Sequence, residues 1–348
     1  MRVVRELPEA KWRRFVGEHP DGNIYHTPEM FDVYRRAHGY KPSLWAAVDA
    51  GGDPLAILTP VEVTLLPGLL GRFTARLICY GGPLCAPGDA GREALDALLA
   101  EYQRWARRRA LFTEMRSVSC TAELRPALHA HGYAHEAHLN FLVDVEQPED
   151  RLWAQMRPSC QRDVRKARRR GVVVQDSLDP QDLATAYDIL AQVYRNARVP
   201  LASRTLFQAA LDVLGPREML RIFSVRVDDR CIGVRFALLH KDRVINWYGG
   251  TDRSSSSHCP GEAMMWGTML WARTHGYRVL DFGGAGRPDE SYGPRDFKAK
   301  FGGQLVDFGR DVCIHSQLAY RVSVRAYEAT RKVLSLRDWA RTQRRPGP

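Results

Sequence analysis

The chain has 348 residues and carries 51 lysines and arginines against 40 aspartates and glutamates, a net charge of +11 with a pI near 9.5. Its 45% apolar and 26% charged content is that of a globular protein, which excludes wholesale disorder, and the length suits two or three domains. No run approaches the roughly 18 apolar residues of a membrane span, and Met-Arg-Val-Val-Arg-Glu puts charge where a secretion signal has its apolar core, so the chain reads as soluble and cytoplasmic.

In chain order, the first helix is predicted over Pro8–His19. The second is better marked: Thr27 as N-cap, Pro28 in the first helical position, Met30, Val33, Tyr34 and Ala37 on one face, and Gly39 as the stop. Strand Ser43–Asp49 turns through Ala50-Gly-Gly-Asp-Pro54 into strand Leu55–Leu65. Strand Phe73–Tyr80, helix Gly91–Arg109, strand Leu111–Ser117, a short helix near Ala122–His131 and strand Leu139–Val145 complete the first half. The second half opens with helix Pro148–Arg170, strand Val172–Gln175, helix Pro180–Arg195 and a helix near Ser203–Leu214. Strands Met219–Val227, Cys231–His240 and Arg243–Tyr248 follow, then helix Gly261–His275, strand Arg278–Phe282, strand Gln304–Ile314 and a basic helix from Ser316.

Tyr80-Gly-Gly-Pro83 and Tyr248-Gly-Gly-Thr251 each end a strand and lead toward a helix. Helix, antiparallel strands, helix and strand, written twice, predict a duplicated α+β unit with mixed, largely antiparallel sheets flanked by helices. The expected division is residues 1–147, residues 148–315 and a basic helical tail at 316–348.

The basic excess suits a polyanionic partner or, equally, solvated helix faces. It clusters at Arg104–Arg109 and at Arg157–Arg170, where Arg162, Arg165, Lys166 and Arg169 share one helical face. Seven scattered cysteines form no C-x-x-C pair, which argues against a disulfide framework or a zinc site of ordinary spacing. His129, His131, His135 and His138 straddle a helix end at Gly132 and lack metal-site geometry. Cys259 beside Pro260 at a helix start predicts a lowered thiol pKa, with no base at a recognisable spacing.

The most informative stretch runs from Asp281-Phe-Gly-Gly284 to Phe297-Lys-Ala-Lys-Phe-Gly-Gly303. Asp281-Phe-Gly283 is not a kinase motif, because neither the glycine loop nor the H-R-D loop precedes it. Glycines at a strand end let backbone approach a ligand, and a lysine just beyond suits a phosphate or a developing oxyanion. The bland alternative is that Phe297 and Phe301 anchor an ordinary loop with Lys298 and Lys300 solvated.

Taken in order, Arg162-Asp-Val-Arg-Lys-Ala-Arg-Arg-Arg-Gly171, Trp247-Tyr-Gly-Gly-Thr251, His275-Gly-Tyr-Arg-Val-Leu-Asp-Phe-Gly-Gly284 and Asp296-Phe-Lys-Ala-Lys-Phe-Gly302 resemble the FemABX family, aminoacyl-tRNA-dependent peptidyltransferases built from two GNAT-like domains. The resemblance covers most of the chain and is sharpest from about residue 157 to 310; the long helical arm of some members is absent. It implies two tandem GNAT-like domains, aminoacyl-tRNA as donor with no separate cofactor, and an amine acceptor on a small natural product, as in antibiotic biosynthesis, or on a peptidoglycan precursor. It makes Lys298 the group that stabilises charge and Phe297 its aromatic partner. Asp281 and Asp296 are candidate bases by position, and Tyr248 and Arg295 are expected to line the cleft. The donor is expected where strand Arg243–Tyr248 parts from strand Arg278–Phe282, with tRNA on Arg162, Arg165, Lys166 and Arg169.

The chain departs from members that act on nucleotide-linked precursors. Their lysine late in the second helix is replaced by Arg35 or Arg36, and their Arg-x-x-x-Tyr contact is met only by Arg204-Thr-Leu-Phe207, which makes a small free amine a comparable acceptor. An acyl-CoA-dependent GNAT N-acyltransferase is the alternative enzyme, although Arg253-Ser-Ser-Ser-Ser-His-Cys-Pro-Gly-Glu262 lacks the glycine pattern that cradles a pyrophosphate. A degenerate GNAT pair that only binds nucleic acid or serves as a scaffold is the non-enzymatic one.

Overall fold

The computed structural model describes residues 1–64, 74–197 and 199–322; the end of the predicted strand at Leu65, the start of the next at Phe73 and the tail from 323 onward lie outside the described residues. The first half runs β1 (Arg2–Val4), α1 (Glu9–Glu18), α2 (Pro28–Arg36), β2 (Tyr40–Pro42), β3 (Trp45–Val48), β4 (Pro54–Leu58) and β5 (Val61–Val63). It continues with β6 (Arg76–Gly81), β7 (Leu84–Cys85), α3 (Asp89–Ala106), β8 (Phe112–Ser117), α4 (Arg125–Ala130), β9 (Ala134–Glu136) and β10 (Leu139–Asp144). The second half has α5 (Glu149–Gln155), α6 (Pro158–Arg169), β11 (Val172–Ser177), α7 (Pro180–Ala197), α8 (Arg204–Leu214), β12 (Leu220–Val227), β13 (Arg230–His240) and β14 (Arg243–Thr251). It ends with α9 (Pro260–Thr274), β15 (Val279–Gly284), α10 (Gly293–Lys298), β16 (Gln304–Asp307) and β17 (Arg310–Ile314). Helix α2 starts as its sequence dictates: the Thr27 hydroxyl accepts from the Met30 N–H at 3.1 Å, and Pro28 fills the first position, where no donor is needed.

The first half builds a four-stranded sheet, β1-β3-β4-β7, and a six-stranded one, β2-β5-β6-β8-β17-β9; the second builds a seven-stranded sheet, β11-β12-β13-β14-β15-β10-β16. The six- and seven-stranded sheets each contain one parallel pair, β6 with β8 and β14 with β15, among antiparallel neighbours. This is the expected mixed α+β class with two related units. A cut at 147/148 does not separate the sheets, however. Strand β10 comes before that point yet lies between β15 and β16, while β17, from the end of the second half, lies between β8 and β9. The two halves exchange a strand.

Local chemistry explains the other departures. The helix predicted over Pro148–Arg170 is two helices, because Pro158 disfavours helical backbone at the residue before it and opens α6 anew. The strand predicted over Gln304–Ile314 is broken at Phe308-Gly309, where Gly309 adopts φ 69°, and its two pieces enter different sheets. The loop predicted between Gly283 and Gly303 contains α10.

A buried cluster bridges the halves: Met30, Val33 and Tyr34 of α2 meet Phe207, Ala210 and Leu214 of α8. Phe207 is fully buried, with ring centroids 4.9 Å from both Phe236 and Tyr248. Phe207→Ala is expected to cost about 3–5 kcal/mol in urea unfolding. Because this cluster is shared, the transition should remain single; two separated transitions would show that the halves unfold independently.

Candidate functional site

Strand β14 pairs with β15 only through Arg243–Val279, Val244–Leu280 and Ile245–Asp281; from Asn246 onward the two part. The opening leads into a cleft of about 770 Å³ between the halves, lined by both sheets and by five tyrosines, Tyr25, Tyr40, Tyr80, Tyr194 and Tyr248. Strand alternation places Asp281 on this cleft side while Leu280 and Phe282 fill the core behind it.

Lys298 sits at the end of α10, partly buried, and its ammonium donates to the carbonyls of Gly283 at 3.0 Å and Gly284 at 2.7 Å. Both glycines line the cleft, so the cation is held directly behind its wall. Burial pulls the Lys298 pKa down to about 8; Asp281 opposes this shift and Arg235 adds to it. The Asp281 carboxylate accepts from the Gly283 N–H at 2.7 Å and the Asn140 amide at 3.2 Å. Burial nevertheless raises its pKa above the ordinary carboxylate value, against the pull of these donors and of Arg243 and Lys298.

The remaining predicted residues separate. Tyr248 lines the cleft, propped against Phe207 and Tyr194. Arg295 does not line it: its guanidinium donates to the carbonyls of Ala285 at 2.7 Å and of Arg287, clasping the glycine loop from outside. Phe297 packs over the first turn of α9, where its ring would lie 3.2 Å from a Cβ on Gly261, and meets Phe301 edge-on. Arg204 is exposed at the start of α8 and does not line the cleft, although neighbouring Ala202 and Ser203 do. Asp296 is exposed on α10. Arg162, Arg165 and Arg169 are exposed on α6, with Arg165 over Trp153, and Lys166 is half-buried. Helix α6 packs through Ala167 against Cys259 and Ala263 at the start of α9, which leaves its basic face turned away from α9. The thiol of Cys259 departs from expectation, because burial raises its pKa and the nearby Asp163 carboxylate adds to the rise.

Sequence reasoning missed the floor of the cleft. Arg76 and Tyr80 on β6, Glu114 and Arg116 on β8 and Arg310 on β17 share one face, opposite Leu77, Cys79 and Met115 in the core. The signal was present as period-two alternation in Arg-Leu-Ile-Cys-Tyr and Glu-Met-Arg, but β17 arrives from 194 positions further on (310 − 116). Four polar atoms of cleft residues are buried without a hydrogen-bond partner: Arg76 Nε, Arg116 Nε, Ser117 Oγ and Asn246 Oδ1. Native interiors rarely leave such groups unpaired, so the cleft wall is unusually rich in unsatisfied polar groups. Among the described residues no group of three His, Cys, Asp or Glu side chains could hold a metal ion. His131 bonds Asp96, His135 bonds Asp311 and His138 bonds Arg310, each on its own.

Competitive amine labelling read by mass spectrometry should find Lys298 half-titrated near pH 8, well below an ordinary lysine. In Asp281→Asn the midpoint should fall further, since a carboxylate that favours the ammonium is gone. A midpoint at the ordinary lysine value would contradict this geometry.

Residues 154–299 match the model of the acetyltransferase (GNAT) domain, a span that ends one residue past Lys298. No curated protein matches the chain by sequence. The crystal structure of FemX superposes with a TM-score of 0.71 at 16% identity, covering 92% of this chain and 99% of FemX. The structure of L-PGS from Bacillus licheniformis gives 0.59 at 12% identity over 93% and 98% of the two chains. A tandem GNAT protein from the clavulanic acid biosynthesis pathway gives 0.60 at 14% identity over 90% and 98%. Residues 154–299 thus carry a GNAT domain match, and the strand order over both halves is the tandem GNAT fold shared with FemX and the clavulanic acid pathway protein.

Proposed function

We propose that this protein is an aminoacyltransferase that moves an amino acid from charged tRNA onto an amine. One observation carries the reading: the Lys298 ammonium, anchored on the Gly283 and Gly284 carbonyls where β14 and β15 part. In the reaction the acceptor amine attacks the ester carbonyl of the aminoacyl-tRNA, forming a C–N bond and a tetrahedral oxyanion beside that ammonium. The ester C–O bond then breaks, and the proton lost by the amine ends on the released ribose hydroxyl. Asp281, buried and raised in pKa, is placed to hold that proton in passing. The outward basic face of α6 supports the tRNA backbone through Arg162, Arg165, Lys166 and Arg169. Charged tRNA would place the reaction in the cytoplasm; among the described residues no helix is long and apolar enough to cross a membrane.

An acyl-CoA donor is the second reading, favoured by the GNAT domain match. It fits the site less well. A pyrophosphate would need the free N–H groups at the start of α9, and that turn carries the Phe297 ring over Gly261 and the acidic Glu262, paired with Lys300 at 3.3 Å.

Incubation with labelled aminoacyl-tRNA or acyl-CoA and a panel of amines, with and without ribonuclease, decides between them. Amide formation should require intact tRNA; product that survives ribonuclease and depends on acyl-CoA overturns the first reading. Lys298→Ala should lower turnover by about 10²–10³, the usual loss for one oxyanion donor. Because the protonated lysine is the active form, the rate should fall as pH rises through about 8, and Lys298→Arg should move that limb upward. Replacing the four α6 cations by alanine should weaken tRNA binding and reduce the salt slope by about 0.7–0.9 per lost phosphate contact, measured by filter binding.

A further inference from the structure

The cleft has a second charged region that the transfer step does not use. On its floor, register sets Arg116 beside Tyr80 on one side and beside Arg310 on the other. Glu114, buried, accepts from Arg116 at 2.8 Å and from Arg310 at 2.7 Å. Arg310 also donates to His138 Nε2 at 2.8 Å, and burial with the nearby Arg310 charge pulls the His138 pKa down to about 4, so the imidazole is neutral and accepts. Arg76 has no ion pair or side-chain hydrogen bond among the described residues, and its Nε and that of Arg116 are buried and unpaired. Arg116 and Arg310 share the single carboxylate of Glu114, Arg76 has none, and Asp281 already faces Arg243 and Lys298, so the cavity keeps an excess of positive charge.

We propose that Arg76 and Arg116, backed by Arg310, form a docking site for a single compact anion carried by the acceptor amine, a carboxylate or a phosphate ester. The inference rests on the cleft being the acceptor site. The Arg76 guanidinium, with no partner among the described residues, and the Arg116 guanidinium on the same face of the floor offer N–H groups that match the oxygens of either anion. The Arg116 guanidinium lies 5.6 Å from the centre of the Tyr80 ring, which stacks between Tyr25 at 5.6 Å and Tyr34 at 5.5 Å, so the anion end also meets an aromatic wall. The span to the reacting centre is short. Arg310 bonds His138, His138 lies against Gly284, where its Nε2 would be 3.0 Å from an added Cβ, and the Gly284 carbonyl holds Lys298. The acceptor therefore carries its amine and its anion only a few bonds apart.

Calorimetry without donor or RNA tests this with matched pairs: tyrosine against tyramine, and phosphoethanolamine against ethanolamine. The anionic member of at least one pair should bind saturably and about tenfold or more tighter than its neutral partner, and the pair that responds identifies carboxylate or phosphate. Arg76→Gln removes a side chain with no partner of its own in the described structure, so folding should be retained while anion affinity falls at least about tenfold; Arg116→Gln is the second variant. Equal binding of both members of each pair, no anion binding up to millimolar concentration, or unchanged affinity in Arg76→Gln each overturns the proposal. Transfer from tRNA can fail while anion binding persists, and the reverse also holds, so the two readings are tested separately.

Discussion

The exchange of β10 and β17 between the halves is the constraint on which the site depends. Each exchanged strand is zipped by backbone hydrogen bonds on both sides into the other half's sheet. Each such bond contributes about 1 kcal/mol net, and the ladder opens only as a unit, so a hinge that separates the halves would have to break a sheet. The exchange also supplies chemistry across the divide. Asn140, on the strand that the first half lends, donates to Asp281; Arg310, on the strand that the second half lends, donates to Glu114. Neither carboxylate is fully dressed by residues of its own half. The cleft is accordingly a fixed structural feature, and its two charged regions keep a set separation.

Within that frame the electrostatics are arranged around unpaired cations. Lys298 is held by carbonyl oxygens and has no carboxylate within ion-pair distance among the described residues. Arg235 is buried against the Met265 thioether, also without a carboxylate, and burial pulls its pKa down to about 10. Two cations kept without counter-ions cost stability, a cost that pure folding would remove by pairing or replacing them. Lys298, held behind the two glycines at the opening, is a preorganised cation that an incoming negative charge meets without reorganisation.

Much of this was legible from local chemistry. Thr27-Pro28 starts a helix because the cap and the first position ask for those residues, and the lysine behind Gly283-Gly284 stands where strand-end glycines and a nearby cation suggest a site. What was illegible depends on long-range register. Arg295 looks like a cleft residue by position, but the φ of +76° at Gly286 folds the loop so that its carbonyls face the guanidinium. The arginine floor needs β17 beside β8, and nothing in the strand Gln304–Ile314 announces that Gly309 redirects half of it into another sheet. Pairing between distant strands is set by which apolar faces meet, and one sequence shows the faces without showing their partners.

The duplicated unit also explains why one half supplies the opening of the cleft and the other its floor. In the second half the parallel ladder ends at Ile245–Asp281, and the strands part with polar backbone exposed to a cavity. In the first half the equivalent ladder, β6 with β8, continues through Leu77–Thr113 to Gly81–Ser117, so the place that opens in the other unit is closed by hydrogen bonds. A closed ladder has no such opening, but it presents a rigid face on which side chains alternate strictly. That face holds Arg76, Tyr80 and Arg116 toward the cleft while Leu77, Cys79 and Met115 anchor it from behind. The same fold thus supplies an opening where its strands part and a platform where they stay paired, and the strand exchange turns the two toward each other.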